Sequence, residues 1–268
     1  MRDSQLTPPR STITAIGELP APLRSTLLAL AIAAPLIACG NVDSGAMPDA
    51  PTAPTDDAAP DATAPTVDAA LNRCAPATCL LADEFDGAAL DPSIWGLTLH
   101  GGATAKLSNG ILTLHLPASP EAFADVYSLV GFPAGTTFLA SVTFSSGQFY
   151  DHKGVGFSSS GITADCFSGE TEAAMFRGQD GDSYVETKLA GTATCTLMTK
   201  DYQAGTHDVK IVRDIDRVVF TQNEVALDPV TTHVPTSLLP IRFTAYTYET
   251  APGASVQIDI DWVAVMRN

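Results

Sequence analysis

From Cys74 to Asn268 the sequence is a succession of short runs in which apolar and polar residues alternate, and no helical period is sustained anywhere. Successive side chains of a strand point to opposite faces, so a period of two dictates half-buried β-strands. In 111–116, Leu112, Leu114 and Leu116 share one face while Thr113 and His115 share the other. Phe138, Ala140, Val142 and Phe144 alternate similarly with Thr137, Leu139, Ser141 and Thr143. Asn109-Gly110, the stretch 213–216 and Gln222-Asn223 supply turns, and further strands are expected at 209–211, 218–220, 241–248 and 256–265. The fold class is therefore all-β: one domain over 74–268, long enough to bury about 70% of its unfolded surface.

The chain before Cys74 has another character. Residues 39–73 are dominated by Ala, Pro, Thr and Asp, without an aromatic residue or an apolar period. They cannot bury a core and read as a disordered tether, spanning on the order of 30 Å as a coil and about 100 Å if stretched toward polyproline geometry. Residues 25–38 are apolar and follow Arg2, Arg10 and Arg24, the layout of an export signal too short to cross a membrane. Leu36-Ile37-Ala38-Cys39, closing that run, resembles the lipobox of bacterial lipoproteins. The resemblance implies removal of the signal peptide 1–38, lipidation of Cys39 and anchoring to the cell envelope. Gly40-Asn41, without an Asp after the cysteine, resembles outer-membrane or cell-surface sorting. The plainer alternative is an ordinary cleaved signal in which Cys39 is incidental.

Charge narrows the partners. The chain carries 14 Lys+Arg against 30 Asp+Glu. Such a balance repels phosphate backbones and anionic lipid, which argues against nucleic acid and leaves acyl chains as the only membrane anchor. Beyond Cys39 four cysteines remain, Cys74, Cys79, Cys166 and Cys195, an even number that favours disulfides in an exported chain. Local pairing, Cys74 with Cys79 and Cys166 with Cys195, is the preferred of three connectivities. The rival, a zinc site using these thiols with His152 or His207, lacks recognisable ligand spacing.

The two ends of the domain carry a family resemblance. Asp83-Glu84-Phe85-Asp86-Gly87, followed by 90–95 (LDPSIW), and the closing stretch 259–265 (DIDWVAV) resemble the first and last strands of concanavalin A-like lectin/glucanase domains, including laminarinase-type glycoside hydrolases of family 16. Stretches 151–157, 174–177 and 205–211 fall between them in the order seen in that superfamily. The resemblance implies a jelly-roll sandwich of two antiparallel sheets, with ligands held on a concave face and Trp95 and Trp262 packed in the core or between the sheets. It also implies a structural calcium between the first and last strands, held by backbone carbonyls and a carboxylate from each end, for which Glu84, Asp86, Asp259 and Asp261 are the candidates; the plainer alternative is solvent-facing carboxylates on an outer sheet.

The hydrolases of that family place Glu-x-Asp-x-x-Glu on a concave strand, because retaining hydrolysis needs a nucleophilic and a protonatable carboxyl about 5 Å apart. Here Glu170 and Glu172 take the first two places, but Met175 stands where the acid/base belongs, and a thioether cannot donate that proton; either the site is dead or the match is accidental, with Glu170 and Glu172 solvated near a loop that starts at Ser168-Gly169. Glu186, Asp180 and Asp182 are other available acids without a partner at fixed spacing, and 179–182 reads as turn chemistry. No serine-hydrolase or phosphate-loop motif occurs. A sugar-binding face needs aromatic rings beside hydrogen-bonding groups, and the candidates are Tyr150, Asp151, His152, Arg177, Tyr184, Tyr246 and Tyr248. The reading is an envelope lipoprotein that binds carbohydrate or another extracellular ligand without catalysis. The alternatives are an endo-acting glycoside hydrolase of the laminarinase type and a structural or protein-binding envelope module.

Overall fold

The computed structural model describes Cys74 and residues 77–145, 150–162, 169–198 and 204–268. The expected signal peptide, the lipidated Cys39, the tether and Cys166 lie outside the described residues. Fifteen strands follow one another: β1 (Cys79–Asp83), β2 (Trp95–His100), β3 (Thr104–Ser108), β4 (Ile111–Leu116), β5 (Phe123–Ser128), β6 (Thr136–Phe144), β7 (Asp151–Ser158), β8 (Ala173–Gln179), β9 (Asp182–Leu189), β10 (Thr192–Leu197), β11 (Gly205–Arg213), β12 (Val218–Gln222), β13 (Val225–Ala226), β14 (Ile241–Thr247) and β15 (Val256–Arg267). Among the described residues there is no helix.

Two antiparallel sheets result. The eight-stranded sheet runs β13-β12-β11-β6-β15-β4-β3, with β1 also paired to β15; the seven-stranded sheet runs β10-β9-β8-β7-β14-β5-β2. Hairpins such as β3–β4 and β8–β9 close through two residues with positive φ, Asn109-Gly110 and Asp180-Gly181, the turn whose twist matches that of paired strands. The alternation read from the sequence sorts side chains as expected. Leu112, Leu114, Leu116, Phe138, Ala140, Val142 and Phe144 meet Val126, Val155, Phe157, Phe176 and Phe243 in one buried cluster between the sheets.

The opening motif is a tie between sheets. Asp83, at the end of β1, accepts hydrogen bonds from the Phe85 amide (2.7 Å) and from the Trp95 indole N–H (2.7 Å) at the start of β2. Asp91 caps the turn before β2 through the Ser93 amide and hydroxyl. Phe85, Trp95 and Phe243 then pack ring against ring.

Trp262 departs from expectation. Simple alternation puts it on the face of Val256, Ile258 and Ile260, but a register shift between Ile260 and Trp262 inserts one residue, so Val263 and Val265 continue the inter-sheet core. Trp262 packs instead in a satellite cluster with Cys74, Ala264 and Cys79. The Cys74–Cys79 disulfide forms as expected, with its Cα atoms 5.1 Å apart. Cys195 is also disulfide-bonded.

Candidate functional site

Strand register arranges the outward face of the seven-stranded sheet into transverse rows. The first row is His100, Phe123, Tyr246, His152, Gln179 and Asp182; the second is Thr98, Asp125, Thr244, Gly154, Arg177 and Tyr184; the third is Gly96, Tyr127, Arg242, Gly156, Met175 and Glu186. Inward-facing neighbours such as Ala124, Val155, Phe176 and Val185 are in the core, which assigns these rows to the other side.

The second row is covered. The segment after β7 crosses it: Ile162 packs with Ala173 and Met175 over Gly154, and its amide donates to Thr244 Oγ1 at 3.2 Å. Gly161 presses against Phe123 and Asp125. Arg242 holds the beginning of this strap, donating to the carbonyls of Ser158 (3.1 Å) and Ser159 (3.3 Å) while its guanidinium lies 4.6 Å over the Tyr127 ring. Arg242 is also ion-paired with Asp125. Burial under the strap nevertheless pushes the Asp125 carboxyl up to about 6, because desolvation outweighs the attraction of Arg242.

Beside it lies a buried quartet of two acids and two bases. Arg177 Nη1 approaches Glu186 Oε2 at 2.8 Å and Glu170 Oε2 at 3.7 Å; Lys188 Nζ lies 3.4 Å from Glu170 Oε2 and 3.6 Å from Glu186 Oε1. All four side chains are closed off from solvent. Burial raises the Glu170 carboxyl, opposed by Arg177, with the Glu186 charge raising it further.

Glu170 and Glu172 lie ahead of β8 rather than on it, and the burial of Glu170 corrects the expectation that both are solvated. Both precede β8, whose outward positions are Ala173, Met175 and Arg177. Glu172 turns elsewhere and accepts hydrogen bonds from the Ser237 hydroxyl (2.7 Å) and amide. Arg177, expected at a ligand, is locked in the quartet. Asp151, also expected there, is buried in an ion pair with Lys153 (3.2 Å), whose ammonium donates to the Ser145 carbonyl.

The remaining candidates do converge, at the open end of the first row. Tyr248 stacks on His152 with 6.2 Å between centroids and 26° between planes, and Tyr246 lies 6.0 Å from His152 and edge-on to Tyr248 at 6.3 Å. Tyr150 adjoins them: its carbonyl accepts from the Tyr248 amide, and its own amide donates to Asp180 Oδ1 at 2.6 Å. Tyr150 is 41% exposed and Tyr248 39%, while His152 is buried beneath its neighbours. The Tyr246 phenol is pushed up by burial and by the nearby Glu121, Tyr248 and Glu249. Tyr184 stands one row away with its hydroxyl on Asp182 (3.3 Å). Phe123, Gly161 and Ile162 are contributors that motif reading does not reach. The Phe123-x-Asp125-x-Tyr127 alternation signals their common face, but only register places that face beside Tyr246.

The carboxylates expected at a calcium form no cluster of three or more side chains among the described residues. Asp259 accepts from Thr113 Oγ1 (2.7 Å) and from the Gln257 side-chain Nε2 (2.8 Å). The set expected for calcium, backbone carbonyls with one carboxylate from each end, needs no such cluster.

No protein-family model and no curated protein matches the chain. Solved structures do. A β-glucanase from Bacillus licheniformis superposes with a TM-score of 0.55 at 10% identity, covering 70% of this chain and 98% of that one. A protein of Mycobacterium tuberculosis described as an immunostimulatory antigen and pseudo β-1,3-glucanase gives 0.53 at 16% identity, over 71% and 99%. A β-1,3-glucanase from Mycobacterium marinum gives 0.51 at 14%, over 70% and 98%. The fold is the glucanase jelly roll. On this glucanase-like sandwich the central outward face presents no accessible carboxyl pair among the described residues: Asp125, Glu170 and Glu186 are each buried against a cation. Retaining hydrolysis needs two carboxyls that flank a glycosidic bond, hence ones a sugar can reach.

Proposed function

We propose that this domain binds an extracellular saccharide on the Tyr150–His152–Tyr246–Tyr248 surface without cleaving it, and that the chain is exported and lipid-anchored at Cys39. The observation that carries the reading is the division of the outward face: the central carboxyls Asp125, Glu170 and Glu186 are held in buried ion pairs, while tyrosine rings remain open at one end. Aromatic faces bury sugar C–H surface, and neighbouring hydroxyl and carboxylate groups accept or donate to sugar hydroxyls. The test is electrophoresis of the protein through gels containing laminarin, chitin or chitosan, with a parallel assay of reducing ends. Retardation in at least one glycan, lost in Tyr248→Ala, with no new reducing ends, is expected. Failure to bind any glycan would overturn the reading in favour of a structural or protein-binding module.

Hydrolysis has one observation in its favour. Glu170 and Glu186 share Arg177 and Lys188, and Glu170 is raised as a general acid must be. Release of reducing ends that Glu186→Gln abolishes would establish it.

A further inference from the structure

The seven-stranded sheet and its connections carry four described cations, Lys153, Arg177, Lys188 and Arg242, and every one is engaged by a carboxylate. Their side chains are at most 11% exposed. Four carboxylates stand around the open tyrosines instead. Glu121 reaches them through its amide, which donates to the Thr247 and Tyr248 carbonyls; Glu249 follows Tyr248 in the chain. Asp180 accepts from the Tyr150 amide, and Asp182 sits opposite Gln179, which itself sits opposite His152. Glu121, Asp182 and Glu249 are exposed and Asp180 half-buried. The other exposed cations described, Lys106, Lys210, Arg217 and Arg267, belong to the eight-stranded sheet and its turns.

From this separation we infer that the tyrosine surface selects a saccharide bearing free ammonium groups, such as an oligomer of unacetylated glucosamine, over neutral and acidic saccharides. The inference rests on the saccharide-binding reading above and specifies its ligand class. The chemistry is twofold. An ammonium group over a tyrosine face is attracted by the ring quadrupole, and a carboxylate rim supplies the counter-charge. A uronate or sulfated chain meets the same rim as repulsion, and each described cation of that sheet is already engaged by a carboxylate. The Tyr246 phenol is pushed up first by burial and then by Glu121, Tyr248 and Glu249.

The test is calorimetric titration of the full chain with a chitosan hexamer, the corresponding fully acetylated chitin hexamer, laminarihexaose and an alginate hexamer, at pH 5.5 and low salt. We expect the chitosan hexamer to bind about tenfold more tightly than either neutral hexamer, equivalent to about 1.4 kcal/mol. Alginate should bind least. Half-molar salt should erase most of the preference, since screening then acts over only a few ångströms. The double variant Glu121→Gln/Glu249→Gln should bring chitosan down to the neutral hexamers, and an unchanged thermal midpoint would show that it is folded. Equal affinities for charged and neutral hexamers, or tighter alginate binding, would overturn the inference while leaving saccharide binding intact. Absence of binding to every hexamer would remove the underlying reading as well. Tighter binding of hexalysine than of the chitosan hexamer would assign the surface to a basic peptide and also overturn the inference.

Discussion

Ile162 sits so close above Gly154 that a β-carbon added at position 154 would lie 2.1 Å from its Cδ1 and 3.1 Å from Met175 Cε. The strap can therefore cross the sheet only where β7 has no side chain to raise it. Gly154→Ala should destabilise the protein by about 1–3 kcal/mol through overpacking. Ile162→Ala should cost about 2–4 kcal/mol by leaving a hole. Because the two changes relieve one another, the double variant should lose less than the sum of the single losses. Urea denaturation of the four proteins measures the cycle, and strict additivity would mean that the two residues do not meet.

The quartet around Arg177 makes a second prediction. Removing one charge from a closed ion-pair network leaves another without compensation, so Arg177→Met should cost about 3–5 kcal/mol. Replacing both partners of the 2.8 Å contact, as Arg177→Met/Glu186→Met, leaves Glu170 with Lys188 and should recover a large part of that loss. Denaturant midpoints for the single and double variants decide it. A double variant less stable than Arg177→Met would show that the network adds net stability.

Much of the framework was legible because alternation is a local signal. Leu112, Leu114 and Leu116, or Phe138 through Phe144, declare their faces without knowledge of any partner strand. The Cys74–Cys79 bridge was equally local. What alternation cannot supply is register and interruption. Trp262 changed face because one inserted residue at Ile260/Trp262 reverses every later parity, and no residue type there announces it. Asp151 and Arg177 look like polar binding residues in sequence because their counter-charges come from elsewhere: Lys153 lies two residues on from Asp151, but Glu186 reaches Arg177 only across a strand pair. Tyr246, Tyr248 and His152 met as a group because two tyrosines two apart share a face, while the neighbour strand that brings His152 was set by the crossover from β7 to β14.

Asp125 makes stability depend on pH in a defined direction. Its carboxyl, ordinarily near 3.8, is held up to about 6 by burial beneath Gly161 and the strap. The folded chain thus keeps a proton that the unfolded chain has already released between about pH 4 and pH 6. The contribution of this group is therefore most favourable below pH 4 and is lost as pH rises through 6, with a size on the order of 3 kcal/mol. The Glu170 carboxyl, also raised, acts in the same sense. Other carboxyls titrate over the same range, so the informative quantity is the difference between wild type and Asp125→Asn, which cannot ionise. At pH 4 both carry a neutral group beside Arg242 and should be similarly stable. By pH 7 the wild type should have lost ground to the variant, and guanidinium denaturation at pH 4, 5, 6 and 7 should trace that growing gap. A gap that instead favours the wild type as pH rises would mean that Arg242 outweighs desolvation and holds Asp125 ionised.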